Sequence, residues 1–157
     1  MLYGAGKYTY ELVDGWAKLP EGCSFGDVGS LSIDSQDRVY VLNRGAHPVM
    51  VFAHEGDLLA TWGEGFFSKR AHGSCVGPDD SVYCTDDGNH TVSKFTPEGK
   101  LLARWGGQGQ DKGTALFLAP HAIAVDSRGD LYVGEVSKTA DGVDRGVKTV
   151  QKFARMS

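Results

Sequence analysis

The sequence predicts an all-β chain built from three repeated units of short antiparallel strands. Three observations carry this. The chain has 22 Gly and 5 Pro in 157 residues, spread along its whole length, and such frequent punctuation favours short strands over long helices. Segments 29–43, 72–86 and 121–135 lie in register. Each reads as an alternating strand, a polar turn rich in Asp, Ser and Gly, and a strand of the form apolar-Tyr-apolar. The tyrosines are Tyr40, Tyr83 and Tyr132, spaced by 43 and 49 residues. The repeat then continues, because 48–63 and 91–106 match with Phe52 and Phe95 each twelve residues past their tyrosine, and Trp62 and Trp105 again 43 apart.

In chain order the units span about residues 24–63, 70–106 and 119–155. Alternation of apolar and other residues marks half-buried strands. Gly56 and Gly99 stand where the second hairpin needs a positive φ. One unit is thus four strands in about 43 residues, the length and strand count of a β-propeller blade. The third unit departs from the pattern. Its linker from Trp105 to His121 is six residues longer than the equivalent stretch, and the loop after Tyr132 is nine residues longer. That polar insert, residues 137–148, reads as an exposed loop. Only three strands are evident in this unit. Residues 7–16, which alternate and end in Gly15-Trp16 like the fourth strands of the other units, are the candidate closing strand.

Composition narrows the function classes. Sixteen Lys and Arg against 20 Asp and Glu give a net charge of −4, which argues against nucleic-acid binding. No apolar run reaches the roughly 20 residues of a membrane span, so no membrane partner is expected. The N-terminus lacks the h-region of a secretory signal, and Cys23, Cys75 and Cys84 are too few for a disulfide scaffold. The expectation is a cytoplasmic protein of one domain, 1–157. No Ser-His-Asp order, P-loop or dinucleotide fingerprint is present.

Gly88-Asn89-His90, followed by an apolar-x-x-Phe strand and an x-x-Gly-x-apolar-apolar strand, resembles the NHL repeat. Arg44, Gly45, Ala46 and His47 form a degenerate version. Within NHL propellers the chain is most similar to the peptidyl-α-hydroxyglycine α-amidating lyases. That resemblance implies a six-bladed ring and a catalytic zinc held by histidines that begin inner strands. Here His72 and His121 occupy that place, in Ala71-His72-Gly73 and Pro120-His121-Ala122. It also implies a catalytic arginine, matched by Arg44. The family's third zinc histidine, its catalytic tyrosine and its second arginine have no match; Glu135-Val136 stands where the second arginine belongs.

Three blades leave two faces bare, since each blade buries its faces against its neighbours. A two-fold homodimer closing a six-bladed ring removes both. A larger ring, a half-ring capped by another protein and a poorly folded truncated product are the alternatives. In a ring His72 and His121 face the channel near one mouth. Two imidazoles per chain are insufficient for zinc, but four per dimer suffice; histidines bonding water or backbone carbonyls are the plainer reading. Arg44 either clamps a carboxylate or makes a surface ion pair. Asn43, Asp86 and Glu135, three residues past their tyrosines, fit turn capping better than cation binding. Trp62 and Trp105 fit packing between blades. Cys75 and Cys84 read as buried thiols on neighbouring strands. The leading functional reading is a binding or scaffolding module for a peptide or small ligand, taken at the channel mouth or on the loops. The second is a metal-dependent, amidating-lyase-like enzyme.

Overall fold

The computed structural model describes residues 1–107 and 115–156. Residues 108–114, within the longer linker after Trp105, and residue 157 lie outside the described residues. A hairpin opens the chain, with β1 (Leu2–Ala5) paired to β2 (Tyr8–Glu11). Blade 1 holds β3 (Val28–Ile33), β4 (Val39–Asn43), β5 (Val49–Phe52) and β6 (Leu58–Trp62). Blade 2 holds β7 (Ala71–Val76), β8 (Val82–Asp86), β9 (Thr91–Phe95) and β10 (Leu101–Gly106). Blade 3 holds β11 (Pro120–Val125), β12 (Leu131–Glu135) and β13 (Val150–Phe153). Each blade is an antiparallel meander in chain order.

The first hairpin of each blade turns through a residue with positive φ: Asp37 at 59°, Asp80 at 58° and Gly129 at 86°. In blades 1 and 3 an aspartate six residues before the tyrosine holds the turn. Asp34 accepts from Gln36 N, Arg38 N, Arg38 Nε and Tyr40 Oη at 2.6–3.0 Å. Asp126 accepts from Arg128 N, Asp130 N and Tyr132 Oη at 2.9–3.2 Å. Burial alone would raise the Asp34 carboxyl, but the bonds from Arg38, Gln36 and Tyr40 outweigh it and hold it below its ordinary value. Blade 2 has Gly77 at this position, and Lys94 Nζ lies over the Tyr83 ring instead. In the second hairpins Gly56 and Gly99 have φ of 87° and 85°, as the sequence predicts.

The core lies between blades. Tyr40, Val49, Val51 and Trp62 of blade 1 pack on Val82, Cys84 and Phe95 of blade 2, with Phe66 and Phe67 of the linker alongside. Trp62 and Phe95 rings are 5.0 Å apart, and a Cβ on Gly99 would lie 2.4 Å from the Trp62 ring. Blade 2 meets blade 3 through Val92, Phe117 and Val133, with Trp105 and Phe153 packed against them. Both tryptophans therefore serve inter-blade packing. The Trp62 indole N–H has no acceptor among the described residues, so its ring contributes by contact alone.

The insert after β12 is better organised than an exposed loop. It is largely solvent-facing, yet contains a short helix α1 (Ser137–Asp141) and a 3-10 turn (Gly146–Thr149). Between them the Arg145 side chain is 5% exposed and its Nη1 sits 2.5 Å from the fully buried carboxylate of Glu135. Arg145 also donates to Ala115 O and Leu116 O, and Gln151 Nε2 donates to the same carboxylate oxygen. An arginine in a polar, glycine-containing segment carries no burial signal in sequence, which is why the exposed-loop expectation misses it. The three thiols are free. Cys84 pairs with Ser74 and Cys75 with Tyr83, so the two cysteines are offset by one register position rather than directly opposed. Burial pushes the Cys75 thiol up to about 12.

Two substitutions test this packing by urea unfolding. Trp62→Ala removes the ring that joins two blades and is expected to cost about 3–5 kcal/mol. Arg145→Met leaves the Glu135 carboxylate buried without its cation and is expected to cost about 3–5 kcal/mol. Losses under 1 kcal/mol would contradict both assignments.

Candidate functional site

In every blade the first strand carries extra residues opposite the end of the second. Val28 pairs with Asn43 and Ser30 with Leu42, leaving Gly29 as the extra residue. Pro120 pairs with Glu135 and Ala122 with Gly134, leaving His121. Ala71 pairs with Asp86 and Ser74 with Cys84, so His72 and Gly73 oppose Thr85. A bulge re-aims its side chain out of strict alternation. The two candidate histidines therefore stand second in β7 and β11, one residue inside the strand starts where the sequence places them, and they do so on bulges, which the sequence does not reveal.

Neighbouring inner strands approach closely there. A Cβ on Gly73 would meet the His121 carbonyl oxygen at 2.2 Å, so only glycine permits this approach. Thr85 Oγ1 bridges the strands, accepting from Gly73 N at 2.8 Å and donating to His121 O at 2.9 Å. The imidazoles of His72 and His121 consequently stack, with centroids 3.5 Å apart and planes at 31°.

The residues three past each tyrosine fix the strand entries. Asn43 Oδ1 accepts from Gly26 N and Gly45 N. Asp86 accepts from the backbone and hydroxyl of Ser68, and from Gly88 N and Asn89 N. Glu135 accepts from Leu118 N and Ala119 N. Asn43 and Asp86 cap the turns that follow them, as their residue types suggest, whereas Glu135 ties the incoming segment and the Arg145 insert to β12. The next residue in each blade, Arg44, Asp87 and Val136, lines one cavity of about 420 Å³ together with Arg70, His72 and His121. The repeat register alone could have singled out this trio, but only Arg44 stood out by residue type.

The cavity's charge is uneven. Arg70 binds Asp87 through Nε at 2.7 Å and Nη2 at 2.9 Å, so this pair neutralises itself. Arg44 donates Nε to Ala71 O at 3.4 Å, and no described residue takes up its terminal nitrogens. Burial, the adjacent His121 ring and the Arg44 guanidinium hold the His72 imidazole below its ordinary value. The site thus offers one uncompensated guanidinium beside two stacked imidazoles. A catalytic zinc takes three protein ligands. One chain brings two, and among the described residues no group of three or more His, Cys, Asp or Glu is placed to hold a metal. The donor set of a single chain does not fit zinc.

No family model matches the chain, and no curated protein does. Solved structures do. A streptogramin B lyase superposes with a TM-score of 0.59 at 13% identity, over 87% of this chain and 43% of that one. Virginiamycin B lyase from Staphylococcus aureus gives 0.54 at 13% identity, over 81% and 41%. The WD40 β-propeller domain of Doa1 gives 0.51 at 18%, over 69% and 33%. The chain thus spans less than half the length of these proteins. At such identities the likeness shows fold, and the fold is that of consecutive β-propeller blades.

The depressed His72 value has a stability consequence. The unfolded chain takes up this proton near pH 6.5, before the folded chain does. Stability is therefore expected to fall as pH drops below about 6.5, and His72→Gln is expected to flatten part of that slope in urea titrations at pH 7.5 and 5.5. An unchanged slope would show that His72 is not desolvated in the folded state.

Proposed function

We propose that the chain is a β-propeller binding module that takes the carboxylate of a peptide or small molecule at the mouth lined by Arg44, His72 and His121. One observation carries this reading: the cavity holds a guanidinium whose terminal nitrogens have no described acceptor. A planar guanidinium suits a carboxylate, which can accept two parallel hydrogen bonds from it. The stacked imidazoles supply further ring N–H donors and a flat, partly desolvated floor. The self-paired Arg70 and Asp87 form the rim and add no net charge. The bulges and the Gly73 approach hold these groups without a ligand.

A second reading, a metal-dependent amidating-lyase-like enzyme, is favoured by the two histidines at the head of inner strands. A catalytically inactive His-to-Ala virginiamycin B lyase has been solved with quinupristin; for this chain that offers an analogy of fold, since identity is 14%. Zinc at this mouth would need histidines from a second chain, and the missing tyrosine and third histidine weigh against turnover.

N-acetylglycine serves as the carboxylate probe. Its addition is expected to shift the His72 and His121 ring signals by NMR, and Arg44→Ala is expected to weaken binding about tenfold or more, consistent with losing a charge-assisted hydrogen bond worth roughly 1.5–3 kcal/mol. Shifts that survive Arg44→Ala unchanged would refute the carboxylate assignment. Zinc uptake by titration, abolished by His72→Ala or His121→Ala and accompanied by turnover of an α-hydroxyglycine peptide, would favour the enzyme.

A further inference from the structure

The mouth is graded from one side to the other. Each blade places there the residue that follows Asn43, Asp86 or Glu135: Arg44 on blade 1, Asp87 on blade 2 and Val136 on blade 3. Blade 1 therefore contributes a cation, and blade 2 a carboxylate already matched by Arg70. Blade 3 contributes an aliphatic side chain and then a wall. Beyond Arg44 and Asp87 the chain turns within a few residues into the third strands, which begin at Val49 and Thr91. Beyond Val136 it forms α1 instead, and Thr139 and Ala140 of that helix line the same cavity. The blade 3 side thus presents a valine, a threonine and an alanine, with no charged side chain among them.

This wall is fastened to its blade. Val136 N donates to Ala119 O at 3.0 Å, and Ser137 at the start of α1 is 1% exposed. Gly142, with φ of 67°, ends the helix in the left-handed conformation that suits glycine. Val143 N then returns to Ser137 O at 3.2 Å. Arg145, bonded to Glu135, Ala115 O and Leu116 O, ties down the segment that follows. Lys138 of α1 does not line the cavity; it pairs with Asp144 at 3.6 Å, and both side chains are exposed. Asp141, at the end of α1, acts on Arg70, whose guanidinium is held above its ordinary value first by its bonds to Asp87 and further by the Asp141 charge.

Blade order sets the sequence of groups across the mouth. His72 of blade 2 neighbours Arg44, and His121 shares blade 3 with α1, so the stacked imidazoles lie between the cation and the wall. A ligand whose carboxylate sits on Arg44 and whose body crosses this floor meets Val136, Thr139 and Ala140 at its other end. An aliphatic group there loses its contact with water, which is favourable. A second acid there would find no cation on α1's lining residues and would approach Asp141. We propose that the mouth selects carboxylates that carry a short aliphatic group, with the carboxylate on Arg44 and the aliphatic group against the α1 wall. A cavity of about 420 Å³ lies toward the small end of ligand sites and suits a group of amino-acid size. The inference rests on the carboxylate reading above and adds what lies at the ligand's other end. A peptide ending in Val or Leu and a free branched short-chain acid both supply this chemistry.

The test is an NMR titration of the full chain with N-acetylglycine, N-acetyl-L-valine, N-acetyl-L-aspartate and isovalerate. N-acetyl-L-valine is expected to bind about fivefold or more tightly than N-acetylglycine, and N-acetyl-L-aspartate no more tightly than N-acetylglycine. The valine methyl protons should show nuclear Overhauser contacts to the Val136 and Ala140 methyls, a readout that needs no variant. Ala140→Gln should cut the valine preference to below about twofold while leaving N-acetylglycine affinity within about twofold. Isovalerate binding as tightly as N-acetyl-L-valine would assign the free acid, and weaker binding the peptide end. Equal affinity for the glycine and valine ligands, tighter binding of the aspartate ligand, or methyl contacts absent from α1 would overturn the inference and leave the carboxylate reading intact. If no carboxylate moves the His72 and His121 signals, the carboxylate reading falls and takes this inference with it.

Discussion

A four-stranded sheet has two faces, and a blade of about 43 residues has nothing of its own with which to cover them. The structure depends on this constraint. The largest buried side chains include Tyr40, Phe52, Phe95 and Phe117, and they meet residues of the next repeat or of the segment that leads into a blade. Blade 1 has its leading face covered by Trp16, Ala17, Leu19 and Cys23, which pack on Val41, Met50 and Phe52. Blade 2 is sandwiched between its neighbours. Blade 3 packs on blade 2 through one face, and among the described residues Val150 on its other face is exposed.

Packing sheet on sheet also determines the mouth. Neighbouring inner strands can converge only where a side chain is absent, and Gly73 beside the His121 carbonyl is the point of closest approach. Thr85 spends its hydroxyl on that crossing. The convergence stacks two imidazoles that lie 49 residues apart in the chain. The cost is electrostatic: the His72 imidazole is held below its ordinary value by burial, by its stacked neighbour and by Arg44. In the carboxylate reading proposed above, an anion here would relieve the crowding of positive charge that protonation otherwise creates.

The caps link these two levels. Asn43, Asp86 and Glu135 differ in length and charge, yet each ties the incoming segment to the end of the second strand. Glu135 needs the most support, because a carboxylate that is fully buried must be paired. Arg145 and Gln151 supply it from the insert and from β13. The insert is therefore part of blade 3's framework, and it brings α1 to the rim of the mouth.

Much of the fold was legible in the residues. Alternation has a period of two wherever one face is buried, and turns need Asp, Asn or Gly, so the four-strand repeat, the Gly56 and Gly99 hairpins and the Trp62 seat could be read from spacing. His72 and His121 could be placed at strand starts for the same reason. Other features were not legible, because they arise from pairs distant in the chain. The bulges depend on the register of one strand against another. The imidazole stack depends on how closely two blades approach. The burial of Arg145 depends on a carboxylate ten residues away whose own burial is set by the loop folded over it. Local sequence determined which strands form and where they turn; the packing of blade on blade decided which of their side chains would meet, because a contact between repeats is made by the rigid approach of two sheets and leaves no periodic trace in either.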